Sequence, residues 1–241
     1  MSLFLGTSGY SFDHWKGKFY KTKNSKNFLS EYSQHFKSVE VNNTFYKTPT
    51  ENSIENWKSY NLNYTFKVHR YFRNLLYSDA DIQELKESWN IEYILLKDLC
   101  EVFVLQFDDR RNASIDAIER LRKTVSKKTR IVIEGRNDTW TQDDILEKLV
   151  EVDIPLVILP RNAIAWLDNE KILKCMKKLD FVYIRFHGPK LYAGHYSDEE
   201  LKRWKKIIKS LLKQKKDVYC FFNNDENAAA PEDALRLQNM M

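Results

Sequence analysis

The chain has 241 residues, close to the ~250 of one α/β barrel and long for a simple two-layer domain. Apolar residues make up 43% and charged residues 30%, which excludes a disordered chain and suits a soluble globular one. The net charge of +5 is concentrated: residues 190–216 hold nine Lys or Arg against three Asp or Glu, a helix-sized excess that disfavours a nucleic-acid groove.

The amino terminus has no basic leader and no long apolar stretch, so no signal peptide is expected. It runs into a strand-like segment at 3–7. Helical spacing follows at Phe28, Leu29, Tyr32 and Phe36, then a β-rich run at 38–42. Ile54 and Trp57 fit one helical face before the run at 65–69, and Ile82, Leu85 and Trp89 fit another before 102–106. Ile115, Ile118, Leu121 and Val125 precede the run at 130–136, and Ile145, Leu149 and Val150 precede 155–159. Ile172, Leu173 and Met176 lead to 181–187. Ser197 with Glu200 forms a capping box ahead of Leu201, Trp204, Ile208 and Leu211. A run at 218–223 and a helix opening near Pro231 end the chain. Eight strands alternating with eight helices require a parallel sheet, and the count favours closure into one (β/α)8 barrel spanning residues 1–241.

Four of the runs end in two polar residues one position apart: Glu40/Asn42, Lys67/His69, Glu134/Arg136 and Arg185/His187. The runs ending at Gln106 and at Asn223 to Asp225 finish similarly. Residues two apart on a strand share a face, so these side chains are expected to converge at the carboxyl end of the barrel, where barrel chemistry occurs. Glu40 and Glu134 are the acid/base candidates and His187 the candidate for proton transfer near neutral pH. Lys67, Arg136 and Arg185 suit an anionic group. Asn42, Gln106, Asn223, Asn224 and Asp225 offer polar contacts to substrate, and Tyr20 and Trp140 offer aromatic surfaces. The competing reading is structural: the cations balance Glu40, Glu134 and Asp225, and Asn and Asp at strand ends form turns.

Gly6 to Gly9 lacks the spacing of a phosphate-binding loop or a dinucleotide fingerprint. Three widely spaced cysteines form no CxxC pair, which disfavours a disulfide framework and fits a cytoplasmic protein. The longest apolar run, 154–160, is too short for a membrane span. No motif requires a cofactor. A divalent metal remains open through Glu40, Glu134, His187 and Asp225.

Gly6-Thr-Ser-Gly-Tyr-Ser11, Trp15, Gly17, Phe19, Tyr20, Val39-Glu-Val-Asn-Asn-Thr-Phe-Tyr46 and Pro49 resemble the opening of the YecE-like family, known as domain of unknown function 72. Glu134-Gly-Arg136, Trp140, Arg185-Phe-His-Gly188, Tyr192, Tyr196, Asn223-Asn-Asp225 and Ala230-Pro231 extend the resemblance along the chain. It implies a TIM-type barrel and brings no established reaction. Four departures stand out. Arg73-Asn74 replaces a Thr-His, and Phe107-Asp-Asp109 replaces a Leu-Pro-Pro. Gly135 replaces an aromatic, and a glycine expected near Ala228 is missing. The expected function is an enzyme, most simply a hydrolase, acting on a small anionic or polyhydroxylated molecule. The alternatives are a catalytically silent ligand- or nucleic-acid-binding barrel and a metal-dependent sugar isomerase or phosphoesterase. Oligomeric state is not legible.

Overall fold

The computed structural model describes residues 1–160 and 169–241. Its strands are β1 (Leu3–Thr7), β2 (Ser38–Val41), β3 (Asn63–Lys67), β4 (Cys100–Gln106), β5 (Ile131–Glu134), β6 (Phe181–Phe186) and β7 (Asp217–Phe222). All pairings between them are parallel, in a four-stranded sheet β2-β3-β4-β5 and a three-stranded sheet β1-β7-β6. Helices α1 (Phe28–His35), α2 (Glu51–Lys58), α3 (Arg70–Leu75), α4 (Ile82–Leu96), α5 (Ile115–Thr124), α6 (Asp143–Glu151), α7 (Asn169–Met176), α8 (Asp198–Lys213) and α9 (Ala229–Met240) lie between and after them. None of the described helices is long and apolar enough to cross a membrane.

The two sheets close on each other into a TIM-type barrel. At one seam Ser8 bridges Glu40 in parallel, and Gly9 N donates to Glu40 O at 2.7 Å. Gly6 permits this approach, because a Cβ there would lie 2.0 Å from the Ser38 carbonyl oxygen. At the other seam stands the segment expected as the sixth strand, residues 155–159. It forms isolated bridges rather than a regular strand: Ile133 with Leu156, and Ile158 with Ile184. Pro155 has no N–H to extend the ladder, yet its carbonyl accepts from Ile133 N at 2.9 Å. Ile158 N then donates to Tyr183 O and Arg185 N to Ile158 O. The segment therefore binds both sheets.

Side-chain bonds between strands that are not neighbours must cross the lumen. Thr65 of β3 meets Tyr183 of β6 at 2.9 Å, and near the amino ends Arg130 donates to Tyr219 and Asp217 of β7 at 2.8 and 2.7 Å. The lumen is filled by side chains. Helix α3 was not foreseen: β3 stops at Lys67, and the His69 ring accepts from Tyr71 N to cap α3. The expected box of Ser197 and Glu200 does cap α8.

Candidate active site

Three buried charges form a platform at the carboxyl end of the barrel. Glu40, Glu134 and Arg185 are each exposed by 1% or less. Arg185 Nη2 donates to Glu40 Oε1 at 2.7 Å, and Nη1 donates to Glu134 Oε2. Glu40 also accepts from Ser8 Oγ and from Tyr183 OH, the latter at 2.7 Å. Glu134 Oε1 accepts from Gln106 Nε2 at 2.6 Å and Arg136 Nε at 2.8 Å. Burial opposes ionisation of Glu134. Arg185, Arg136, His187 and Lys67 nevertheless hold it well below the usual carboxylate range. An ionised Glu134 is no proton donor at neutral pH.

Beside this platform lie groups with spare capacity. The His187 ring is fully buried, with Nδ1 at 3.1 Å from Asn223 Nδ2. The amide nitrogen is a donor, so Nδ1 accepts and the ring proton sits on Nε2. Nε2 has no hydrogen-bond partner and stands 3.9 Å from Glu134 Oε1. Burial lowers the His187 pKa to about 3, with the nearby cations adding to burial and Glu134 opposing it, so the ring is neutral. Lys67 is 9% exposed. Its Nζ lies 4.4 Å from the centre of the Phe45 ring, with no carboxylate within 4.0 Å among the described residues. Burial and the Arg185 charge bring its pKa to about 7, against the opposing pull of Glu134 and Glu40. Tyr192, held at φ +65°, sets its ring edge-on to His187 at 5.0 Å. The Arg136 guanidinium lies 5.8 Å from the same ring.

Asn42 joins the site through Ser8, to which its Nδ2 donates at 2.9 Å, and its Oδ1 is buried without a partner. A cleft of about 170 Å³, lined by Gly9, Tyr10, Ser11, Phe12, Val41, Asn42 and Asn43, opens beside it.

Other expected residues stand elsewhere. Tyr20 is a core residue, stacked on Phe28 at 4.3 Å with its hydroxyl on the Tyr10 carbonyl. Trp140 is fully buried, stacked on Phe107 at 4.9 Å and donating to Arg111 O. Both rings are taken up by packing in the core. Trp140 also occupies the space beside Gly135, where a Cβ would lie 2.1 Å from the indole. Asn224 is fully buried and bonds to Gly194 O and Asp233 Oδ2, tying down the loop after β6. Asp225 turns towards His14, 3.7 Å away, because β7 has ended at Phe222 and strand parity no longer governs it. Asp225 stands apart, and Arg185, Arg136, Gln106, Ser8 and Tyr183 occupy the oxygens of Glu40 and Glu134, so the metal set that the sequence left open does not come together. Among the described residues no three of His, Cys, Asp and Glu come together to hold a metal. Ser8 and Tyr183 were missed. Tyr183 lies two before Arg185 and Thr65 two before Lys67, so the parity rule reaches both.

The sequence matches the model of a family described as protein of unknown function DUF72 over residues 4–241. A DUF72 family protein from Thermotoga maritima MSB8 has a similar structure, with TM-score 0.81 at 24% identity, covering 100% of this chain and 99% of that one. A D-allulose 3-epimerase from Methylomonas sp. matches at TM-score 0.64 and 11% identity, covering 100% and 98%. Thermotoga maritima Cel5A in complex with mannotriose matches at 0.53 and 15%, covering 98% and 96%. At these identities the likeness concerns the fold alone. No curated protein matches the sequence.

Proposed function

We propose a function from this premise: the chain belongs to the DUF72 family, whose description gives no activity, so the chemistry is read from the chain's own site. The protein is a hydrolase of a small anionic or polyhydroxylated molecule bound at the carboxyl end of the barrel. The reading rests on one observation, the buried and unpartnered Nε2–H of a neutral His187 beside an ionised Glu134. A neutral imidazole N–H in a dry site stabilises negative charge growing on a substrate oxygen. Lys67, whose pKa is brought close to 7, is suited as its ammonium to give a proton to the leaving group. Asn223 holds the His187 ring, and Glu40, Glu134 and Arg185 supply charges around the two groups. This differs from a carboxylate acid/base pair: a protonated acid is needed there, and Arg185 with Arg136 keeps Glu134 ionised.

The test is a turnover screen over phosphoesters and glycosides with wild type, His187→Phe and His187→Gln. His187→Phe removes the donor, and turnover falls ~10²-fold or more, the scale for losing one such donor. His187→Gln keeps an N–H and retains part of the rate. Full turnover by His187→Phe, or none by wild type on any substrate, overturns the reading.

A further inference from the structure

We infer that Lys67 Nζ and His187 Nε2, both beside the platform of Glu40, Glu134 and Arg185, form an oxyanion subsite that takes a phosphate or carboxylate group of the ligand. The inference rests on the reading of the site just given and narrows its substrate class. The argument comes from the polar atoms left over once the platform is satisfied. Glu40 and Glu134 have donors on all four oxygens. Of the buried polar atoms without a partner near the platform, His187 Nε2 and Arg185 Nε are donors, whereas Asn42 Oδ1 and Asn224 Oδ1 are acceptors, and the Asn224 amide bonds to Gly194 and Asp233. Asn42 lies on the other side of Ser8, by the cleft at Tyr10 and Phe12. Beside His187, therefore, the unused capacity is donor capacity.

Charge points the same way. Lys67, Arg136 and Arg185 bring three positive charges to two carboxylates, and His187 is neutral. The two carboxylates are bonded to the arginines, which leaves the Lys67 ammonium against the Phe45 face with Arg73 on the same ring at 5.4 Å. A cation that is nine-tenths buried without a counterion is costly. It sheds its proton or gains an anion. An oxyanion satisfies both observations at once, one oxygen accepting from Nζ and another from Nε2–H. A neutral polyol could accept from Nε2 yet would leave the ammonium uncompensated.

A consequence follows for protons. Glu40, Glu134, Arg136 and Arg185 are the charged groups that act on Lys67, and burial leads the causes that bring its pKa to about 7. A bound anion raises that pKa, so binding above pH 7 takes up a proton and weakens as pH rises. Titration calorimetry of inorganic phosphate at pH 7.5, in two buffers of different ionisation enthalpy, reads both affinity and protons. Wild type is expected to bind phosphate with net proton uptake. Lys67→Met, checked for folding by its melting curve, is expected to bind at least tenfold more weakly and with no uptake. Parallel titrations with malonate and with sorbitol separate phosphate, carboxylate and neutral ligands. Equal phosphate affinity in wild type and Lys67→Met, or binding of sorbitol alone, overturns the subsite. The hydrolase reading fails separately. Phosphate bound through Lys67 with no turnover on any substrate removes the hydrolase and keeps the subsite. Turnover confined to neutral glycosides, without phosphate inhibition, does the reverse.

Discussion

Ala228 stands where the family pattern has a glycine nearby, and the backbone still takes the left-handed turn: φ is +67° at Ala228 and +56° at Asn227. A Cβ in that region costs about 1–2 kcal/mol, and asparagine tolerates it better than alanine. Ala228→Gly removes the clash, while the freer unfolded chain takes back about 0.4–1 kcal/mol. The expected result is a net gain of roughly 0.5–1 kcal/mol in chemical denaturation, with turnover unchanged. A loss of stability would mean that the Ala228 methyl, fully buried, contributes more by packing than it costs in strain. Sequence alone registered the missing glycine but not what the backbone did about it, since a turn can relax instead. Glu92 was invisible for another reason. It lies on the face of α4 shared with Trp89 and Leu96, three and four residues away, and only its charge concealed it. Burial lifts its pKa to about 7, although the His69 N–H opposes the shift.

At the scale of the element, strand parity foretold which polar side chains come together as far as the backbone stayed extended and no further. Glu40 with Asn42, Glu134 with Arg136 and Arg185 with His187 remain together. His69 leaves for the cap of α3 and Asp225 for His14, each just after its strand has ended. Two departures from the family pattern also meet. Arg73, bonded to the adjacent Asn74, lies 3.6 Å from Asp108 in the stretch that replaces Leu-Pro-Pro, so the changed loops after β3 and β4 are linked by charge. Tyr183 shows what the inward layer of β6 does for the layer above it. Its hydroxyl donates a hydrogen bond to Glu40 Oε2 and contacts Thr65. Tyr183→Phe keeps the ring and leaves a buried carboxylate oxygen one donor short. Unfolding in urea is expected to show a loss of about 1–3 kcal/mol. A change within a few tenths would mean that Glu40 finds another donor.

Across the whole molecule, Arg185 is the clasp between the two sheets. It belongs to β6 in the three-stranded sheet, and it bonds Glu40 of β2 and Glu134 of β5, the two edges of the four-stranded sheet. The sheets are also joined by the isolated bridges at the seams, by Ser8 and Tyr183 on Glu40, and by Arg130 on Tyr219 and Asp217. Arg185→Met keeps most of the apolar stem and strips the charge, leaving Glu40 without its bonded cation and Glu134 with Arg136 alone. Breaking a buried pair in this way costs about 3–5 kcal/mol. The pH dependence identifies the cause. In wild type the folded Glu134 pKa lies below its unfolded value. Its contribution is complete above the unfolded pKa of ~4.3 and is lost as pH falls through the folded value. In the variant Glu134 loses the stronger of its two bonded cations and keeps Arg136, so burial raises its folded pKa, and once that pKa passes ~4.3 the variant loses stability as pH rises. The gap between the two proteins is therefore expected to widen from pH 5 to pH 8 in urea denaturation. Adding Glu40→Gln and Glu134→Gln to Arg185→Met removes the unpaired charges and should recover part of the loss at pH 8. A gap of the same size at both pH values would assign the clasp to packing of the arginine stem, and the two sheets would then be joined chiefly by the bridges and the other bonds between them.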